Sequence, residues 1–111
     1  GRIPMNFNAS GTATISLGTV AANASKVIIT KFDTDVGTNA NSITYKDTNG
    51  NQWSGVLSAN DEWKTDTISL TNYNGGDWSA RYAAGAGDTS VWDMRYEGPS
   101  LNTPGIVYLV K

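Results

Sequence analysis

Apolar and polar residues alternate along this chain in short runs, and the alternation has the period of two that belongs to β-strands. The clearest example is the pair of runs 43–47 and 52–57, which lie on either side of Asn49-Gly50. Gly has no Cβ and Asn tolerates the left-handed region, so this pair suits the two positive φ angles of a type I′ turn. The segment therefore predicts a β-hairpin.

Similar runs recur between clusters of Gly, Asn, Asp and Pro, and no stretch shows a clear helical period. About nine short strands are predicted, over residues 3–8, 12–17, 26–32, 43–47, 52–57, 66–71, 78–84, 90–97 and 106–110. Short strands without intervening helices indicate an all-β fold. We expect one domain over residues 1–111, an antiparallel β-sandwich that is jelly-roll-like. Residues 59–64 fit either a single helical turn or a loop.

The runs 78–84 and 90–97 each place aromatic residues on one face and charged residues on the other. The glycine-rich residues between them predict a hairpin, which would bring Arg81, Asp93 and Arg95 onto one exposed surface. That surface is either a salt-bridged strand face or a polar platform for a ligand.

Composition excludes several classes of function. The chain has no Cys and no His, which removes disulfides, zinc–thiolate sites and the commonest general base. The net charge is −2 and the Lys and Arg residues are scattered, which argues against nucleic-acid binding. The longest apolar run, 106–110, is too short to cross a bilayer, so we expect no membrane insertion. It must lie inside a sheet or against another subunit.

Oxygen ligands at alternating positions raise the question of calcium. The segment 47–51 resembles the start of a calcium loop, but Gln52 stands where such a loop needs Gly, and Ser58 stands where it needs Glu. A turn is therefore the better interpretation there. Asp33 and Asp35 are the remaining calcium candidates, and otherwise we expect no cofactor.

Aromatic residues give the best indication of function, because sugars stack their C–H faces on Trp and Tyr. Trp53, Trp78 and Trp92 fit the apolar faces of strands and are most simply core residues. Trp63 lies among polar residues, so it either folds back over the core or projects as a binding platform. Tyr73 lies in a loop of amides and glycines, a composition suited to recognition.

These observations predict a carbohydrate-binding domain with no enzymatic activity. Trp63 and Tyr73 would stack on sugar rings. The side chains expected to hydrogen-bond sugar hydroxyls are Asp61, Asn72, Asn74 and Arg81.

The Asn-, Thr-, Ser- and Gly-rich opening over 6–15, the missing Cys and His, and the closing apolar run together resemble distal receptor-binding domains of bacteriophage tail fibres and related bacterial fibre adhesins. The resemblance implies a homotrimeric β-sandwich tip that binds cell-surface glycan, on a virion or cell surface outside the cell. A carbohydrate-binding module attached to a polysaccharide-degrading enzyme has a similar texture and is usually monomeric. A structural trimerisation domain without a ligand is the third alternative.

Overall fold

The computed structural model describes residues 5–33, 42–56 and 62–101, with side chains for 14–32, 43–55, 62–82 and 91–101. Six strands and no helix occur in these ranges. The strands are β1 (Met5–Val20), β2 (Lys26–Asp33), β3 (Ser42–Asp47), β4 (Gln52–Val56), β5 (Glu62–Ser69) and β6 (Gly76–Glu97). The all-β class expected from the alternation is therefore confirmed.

The long strand β6 belongs to two antiparallel sheets. Its first part, residues 78–82, pairs with β3 and through it with β4; we call this the first sheet. Its second part, residues 90–97, pairs with β2 and through it with β5; we call this the second sheet. The strand order is β4-β3-β6-β2-β5, and β1 pairs along β6. The two sheets pack as a sandwich-like fold, which confirms the expected sandwich. The jelly-roll refinement stays a prediction.

The core lies between the two sheets and follows the period of two. Trp78 and Tyr82 from the first sheet and Trp92 and Met94 from the second are buried. The rings of Tyr82 and Trp92 approach to 5.5 Å between centroids, which joins the sheets across the core. The predicted aromatic and charged faces of β6 are thus confirmed, with Trp78 and Trp92 in the core and Trp53 partly buried against it.

The hairpin predicted across residues 85–88 is wrong. The backbone there continues within β6, and β1 pairs with it on both sides of a register shift, with Gly11 opposite Ala84 and Ala9 opposite Asp88. Glycine permits a turn but does not force one, and here β1 pairs with β6 before and after the glycine-rich stretch. In the same way the runs 3–8 and 12–17 join in β1, so the described part has six strands where eight of the nine were expected. The ninth, 106–110, lies outside the described residues.

The hairpin predicted between β3 and β4 is confirmed, with Lys46 opposite Gln52. Its turn is not type I′, because Gly50 has a φ of +88° and Asn49 does not have a positive φ. Residues 62–64 belong to strand β5, so neither a helical turn nor a loop is correct for them. The remaining residues of that segment, 59–61, lie outside the described ranges.

Candidate functional site

The loop between β5 and β6 forms a cavity of about 280 Å³ against the β3–β4 hairpin. We call it the loop pocket. Its lining residues are Asn51, Trp53, Ser69, Leu70, Thr71, Asn72, Tyr73 and Asn74. Amides, hydroxyls and one indole therefore face the same space.

Trp53 is the aromatic residue that lines the pocket, and packing fixes its side-chain conformation. Its ring stacks on Trp78 at 4.2 Å between centroids and an angle of 10°. Tyr73 meets both indoles edge-on, at 6.4 Å and 6.2 Å. Because Trp78 is buried, this three-ring stack fixes Trp53 in place while part of Trp53 still lines the pocket.

Tyr73 attaches the loop to the core. Only 6% of Tyr73 is exposed, and its hydroxyl donates to Oδ2 of Asp47 at 2.5 Å. The same hydroxyl oxygen accepts a hydrogen bond from Trp78 Nε1 at 2.7 Å. The backbone carbonyl of Tyr73 accepts from the Asn23 amide at 2.8 Å. The loop is therefore held by both its side chain and its backbone before any ligand arrives.

Asp47, at the end of β3, is the anchor for this arrangement. Its Oδ1 accepts from the backbone amides of Asn49 at 3.0 Å and Asn51 at 2.8 Å. Its Oδ2 accepts from Asn51 Nδ2 at 2.9 Å as well as from Tyr73. Burial alone would raise the pKa of the Asp47 carboxyl, but these hydrogen bonds outweigh burial and lower the pKa.

The donors around Asp47 also bear on calcium. The four hydrogen bonds that the Asp47 carboxylate accepts here come from N–H and O–H groups, which suits an anion held by a turn. The interpretation of segment 47–51 as a turn is therefore supported. Among residues 14–32, 43–55, 62–82 and 91–101, whose side chains the structure describes, no three acidic side chains gather as a metal site would require. The side chain of Asp33 and all of Asp35 lie outside what the structure describes.

Two of the predicted site residues, Asn72 and Asn74, are exposed and line the pocket. Asn72 has a φ of +51°, a left-handed conformation that Asn adopts more readily than most residues. Tyr73 lies between them but needs a correction, because its ring is buried among Trp53 and Trp78 and presents no face to a sugar. Its position makes it a support for the pocket.

Trp63 lies elsewhere, on the outer face of the second sheet. It is 57% exposed, and its ring approaches Phe32 of β2 to 5.1 Å between centroids. Val91 of β6 continues the same row, and the next row holds Thr65, Thr30 and Asp93. Trp63 therefore projects from the sheet and is not a lid over the core.

The remaining predicted residues do not join either place. Arg81 is exposed in the part of β6 that pairs with β3, whereas Asp93 and Arg95 lie in the part that pairs with β2. The gathering of these three side chains depended on the hairpin that β6 does not form. Asp61 lies outside the described residues.

Sequence reasoning did not select Trp53 and Asn51 as site residues. The signal for Trp53 was its position just after the turn on β4, which ends the strand order and has no described neighbour on its other side. An aromatic residue on such an edge strand keeps part of its ring uncovered. Asn51 was treated only as a turn residue, although its side chain lines the pocket as well.

In the described part of the chain, no helix has the length and apolar character needed to cross a membrane. No protein-family model and no curated protein matches this chain.

Proposed function

We propose that this domain binds carbohydrate without chemistry of its own, and that the loop pocket holds the sugar. The observation that carries the proposal is the fixed Trp53 wall beside the exposed amides of Asn72 and Asn74. A pyranose has an apolar C–H face and an edge of hydroxyls; the mostly polar lining of this pocket suits the hydroxyls, and Trp53 lies beside it as the aromatic partner for the C–H face.

The amides suit sugar hydroxyls because each Asn side chain both donates and accepts hydrogen bonds. The Thr71 and Ser69 hydroxyls at the pocket do the same. None of these groups ionises near neutral pH, and the hydroxyl of Tyr73 is engaged with Asp47. The lining therefore fits recognition better than acid–base catalysis.

Pre-organisation supports the same conclusion. A loop that orders only on binding loses conformational entropy at that moment, which weakens affinity. Here the loop is already held by three contacts. The Tyr73 hydroxyl donates to Asp47, the backbone amide of Asn23 donates to the Tyr73 carbonyl, and the Asn49 side chain donates to the Gly75 carbonyl. The cavity of about 280 Å³ is near the lower end for small-molecule sites, roughly 300 Å³, so one sugar ring is the unit we expect it to bind.

The wider context extends this proposal. A fibre-tip domain on a virion or cell surface, binding cell-surface glycan as a homotrimer, is the setting that we favour. A monomeric module attached to a polysaccharide-degrading enzyme would use the same pocket. Light scattering after size exclusion separates these settings, since a trimer has three times the 11.8 kDa mass of the chain.

The test is a glycan array followed by titration of the best glycan against matched variants. Asn72→Gly removes the amide and keeps the positive φ, because Gly adopts that conformation freely. Asn23→Gly is the control, since Asn23 also has a positive φ, of 65°, but does not line the pocket.

We expect Asn72→Gly to weaken binding at least about tenfold, the equivalent of one charged or well-placed hydrogen bond, while Asn23→Gly stays within about twofold. Equal losses in both variants would assign the effect to the loop backbone. Full affinity in Asn72→Gly and Asn74→Ala would remove the pocket from the proposal.

A second candidate function rests on the exposed Trp63 and its neighbour Phe32. A structural trimerisation domain would cover this row with another subunit, because exposed aromatic rows are typical of interfaces. Trp63→Ala would then convert a trimer into monomers and leave glycan binding by the isolated chain unchanged. A trimer that survives this change would exclude the Trp63 row as its interface.

A further inference from the structure

A lysine is buried in the core beside a carboxylate. Lys31 of β2 is 0% exposed, and its Nζ contacts Oδ2 of Asp66 on the neighbouring strand β5. The Tyr45 hydroxyl, from the opposite sheet, donates to the same Oδ2 at 2.5 Å and lies 3.2 Å from the Lys31 Nζ. An amine, a carboxyl and a hydroxyl donor therefore converge on one point.

Gly55 leaves room for these three groups because it has no side chain. A Cβ at residue 55 would overlap Oδ2 of Asp66 and the ring of Tyr45. The main chain of β4 therefore packs directly against Asp66 and Tyr45, and only a residue without a Cβ fits there. Asp66 keeps 20% of its side chain exposed, so a small molecule such as water has a route between the cluster and solvent.

We propose that Lys31 and Asp66 condense into an amide, an intramolecular cross-link between β2 and β5. A proton first moves from the Lys31 ammonium to the Asp66 carboxylate, giving a neutral amine and a neutral acid. The Nζ lone pair forms a bond to Cγ, the bond from Cγ to the acid hydroxyl breaks, and the hydroxyl leaves as water with a proton from Nζ. Amine and acid become amide and water, and no other reactant is needed.

Burial favours the Lys31 amine in its neutral form. Desolvation is the largest influence on the Lys31 amine and lowers its pKa, although the neighbouring Asp66 acts in the opposite direction. Holding the amine against the carboxyl also replaces a bimolecular encounter, and well-oriented groups reach effective concentrations of roughly 10⁵ to 10⁸ M. The neutral product removes two charges from a site where each is costly.

Tyr45 has a defined role in this step. Its O–H donates to Oδ2, the oxygen that Lys31 Nζ contacts and protonates, and this hydrogen bond stabilises the negative charge that builds on Oδ2 as its bond to Cγ breaks and it leaves as water. Burial and its bond to Asp66 raise the pKa of the Tyr45 hydroxyl, so it remains a donor at neutral pH.

The test is the intact mass of the purified full chain under denaturing conditions. We expect a mass lower than the sequence mass by one water. Trypsin should then fail to cleave after Lys31 and should release residues 27–46 joined to residues 65–81. A full mass with cleavage after Lys31 would overturn the proposal, because the pair would then be an ordinary buried salt bridge.

Two controls separate the cross-link from other water losses. A succinimide at an aspartate also loses one water, but it leaves the chain cleavable after Lys31. Lys31→Met keeps an unbranched apolar side chain and cannot condense, so its mass should be full. Tyr45→Phe should leave a larger fraction of uncondensed chain than the parent, and equal fractions would remove the proposed role of the hydroxyl.

Discussion

Two tyrosine–aspartate pairs in this domain share one geometry and differ in everything around it. In each, the tyrosine hydroxyl donates to an aspartate Oδ2 at 2.5 Å: Tyr73 to Asp47 near the loop pocket, and Tyr45 to Asp66 in the core. Asp47 receives its other hydrogen bonds from neutral amides, whereas Asp66 faces the buried amine of Lys31. The neighbours therefore decide whether the carboxylate serves as an anchor or as a partner for an amine.

Removing the Asp47 carboxylate should have the largest effect on stability. Asp47→Ala leaves the buried Tyr73 hydroxyl without its acceptor and also removes the acceptor of the part-buried Asn51 backbone amide. We expect a loss of about 3 kcal/mol in the free energy of unfolding, measured by urea denaturation, since unsatisfied buried donors cost about 1 to 3 kcal/mol each. A loss below about 1 kcal/mol would show that water replaces the carboxylate and that Asp47 is no anchor.

Crowding the Tyr45–Asp66 pair should have the second largest effect on stability. Gly55→Ala pushes a methyl group against Asp66 and Tyr45, and we expect a loss of about 2 kcal/mol, within the range for overpacked cores. The matched control is Gly50→Ala in the β3–β4 turn, which meets no atom within 4 Å but has a φ of +88°. Its loss, about 1 kcal/mol, should come from backbone conformation alone. A smaller loss in Gly55→Ala than in Gly50→Ala would contradict the tight packing around Asp66.

Weakening the Tyr73–Asp47 pair while keeping the Asp47 charge should have a smaller effect on stability. Tyr73→Phe deletes one hydroxyl and keeps the ring between Trp53 and Trp78. We expect a loss of about 1 to 1.5 kcal/mol in stability, together with weaker glycan binding because the loop is held less firmly. Unchanged binding despite the lost stability would separate the Asp47 anchor from the function of the pocket.

Low pH should remove the stability that the Asp47 carboxylate contributes. The folded-state pKa of Asp47 is lowered from its ordinary value of 3.8, mainly because the hydrogen bonds from Tyr73 and Asn51 outweigh burial. Its contribution to stability is therefore present above that ordinary value and is lost as the pH falls through the lower folded-state pKa. Stability of the parent should fall more steeply than that of Asp47→Asn over this window, as followed by urea midpoints. Parallel slopes would show that other carboxylates cause the acid sensitivity.

Local patterns were enough to predict the hairpin of β3 and β4 and the buried faces of β6. Alternation places Trp78 and Trp92 inside regardless of which strands lie beside them. The continuity of β6 was not predictable in this way, because it depends on β1, which pairs with it from the far end of the chain.

The two pairs themselves also escaped sequence reasoning. Tyr73 and Asp47 are 26 residues apart, and Tyr45 and Asp66 are 21 apart, so no spacing rule joins them. An aromatic residue in a loop of amides has the same sequence signature whether its ring is free or inserted in the core. Burial of Lys31 likewise required a carboxylate from a strand 35 residues further on.

The most direct test of the sugar site is a nuclear magnetic resonance titration of the indole N–H signals with the best array glycan. The chain has four tryptophans; Trp53 and Trp78 stack together at the loop pocket, whereas Trp63 lies on the outer face of the second sheet, so their indole signals distinguish the two places. Binding in the loop pocket predicts that the Trp53 signal and the backbone amides of residues 69–74 shift, while the Trp63 signal stays in place. Shifts confined to Trp63, or no shift with any glycan, would contradict the account.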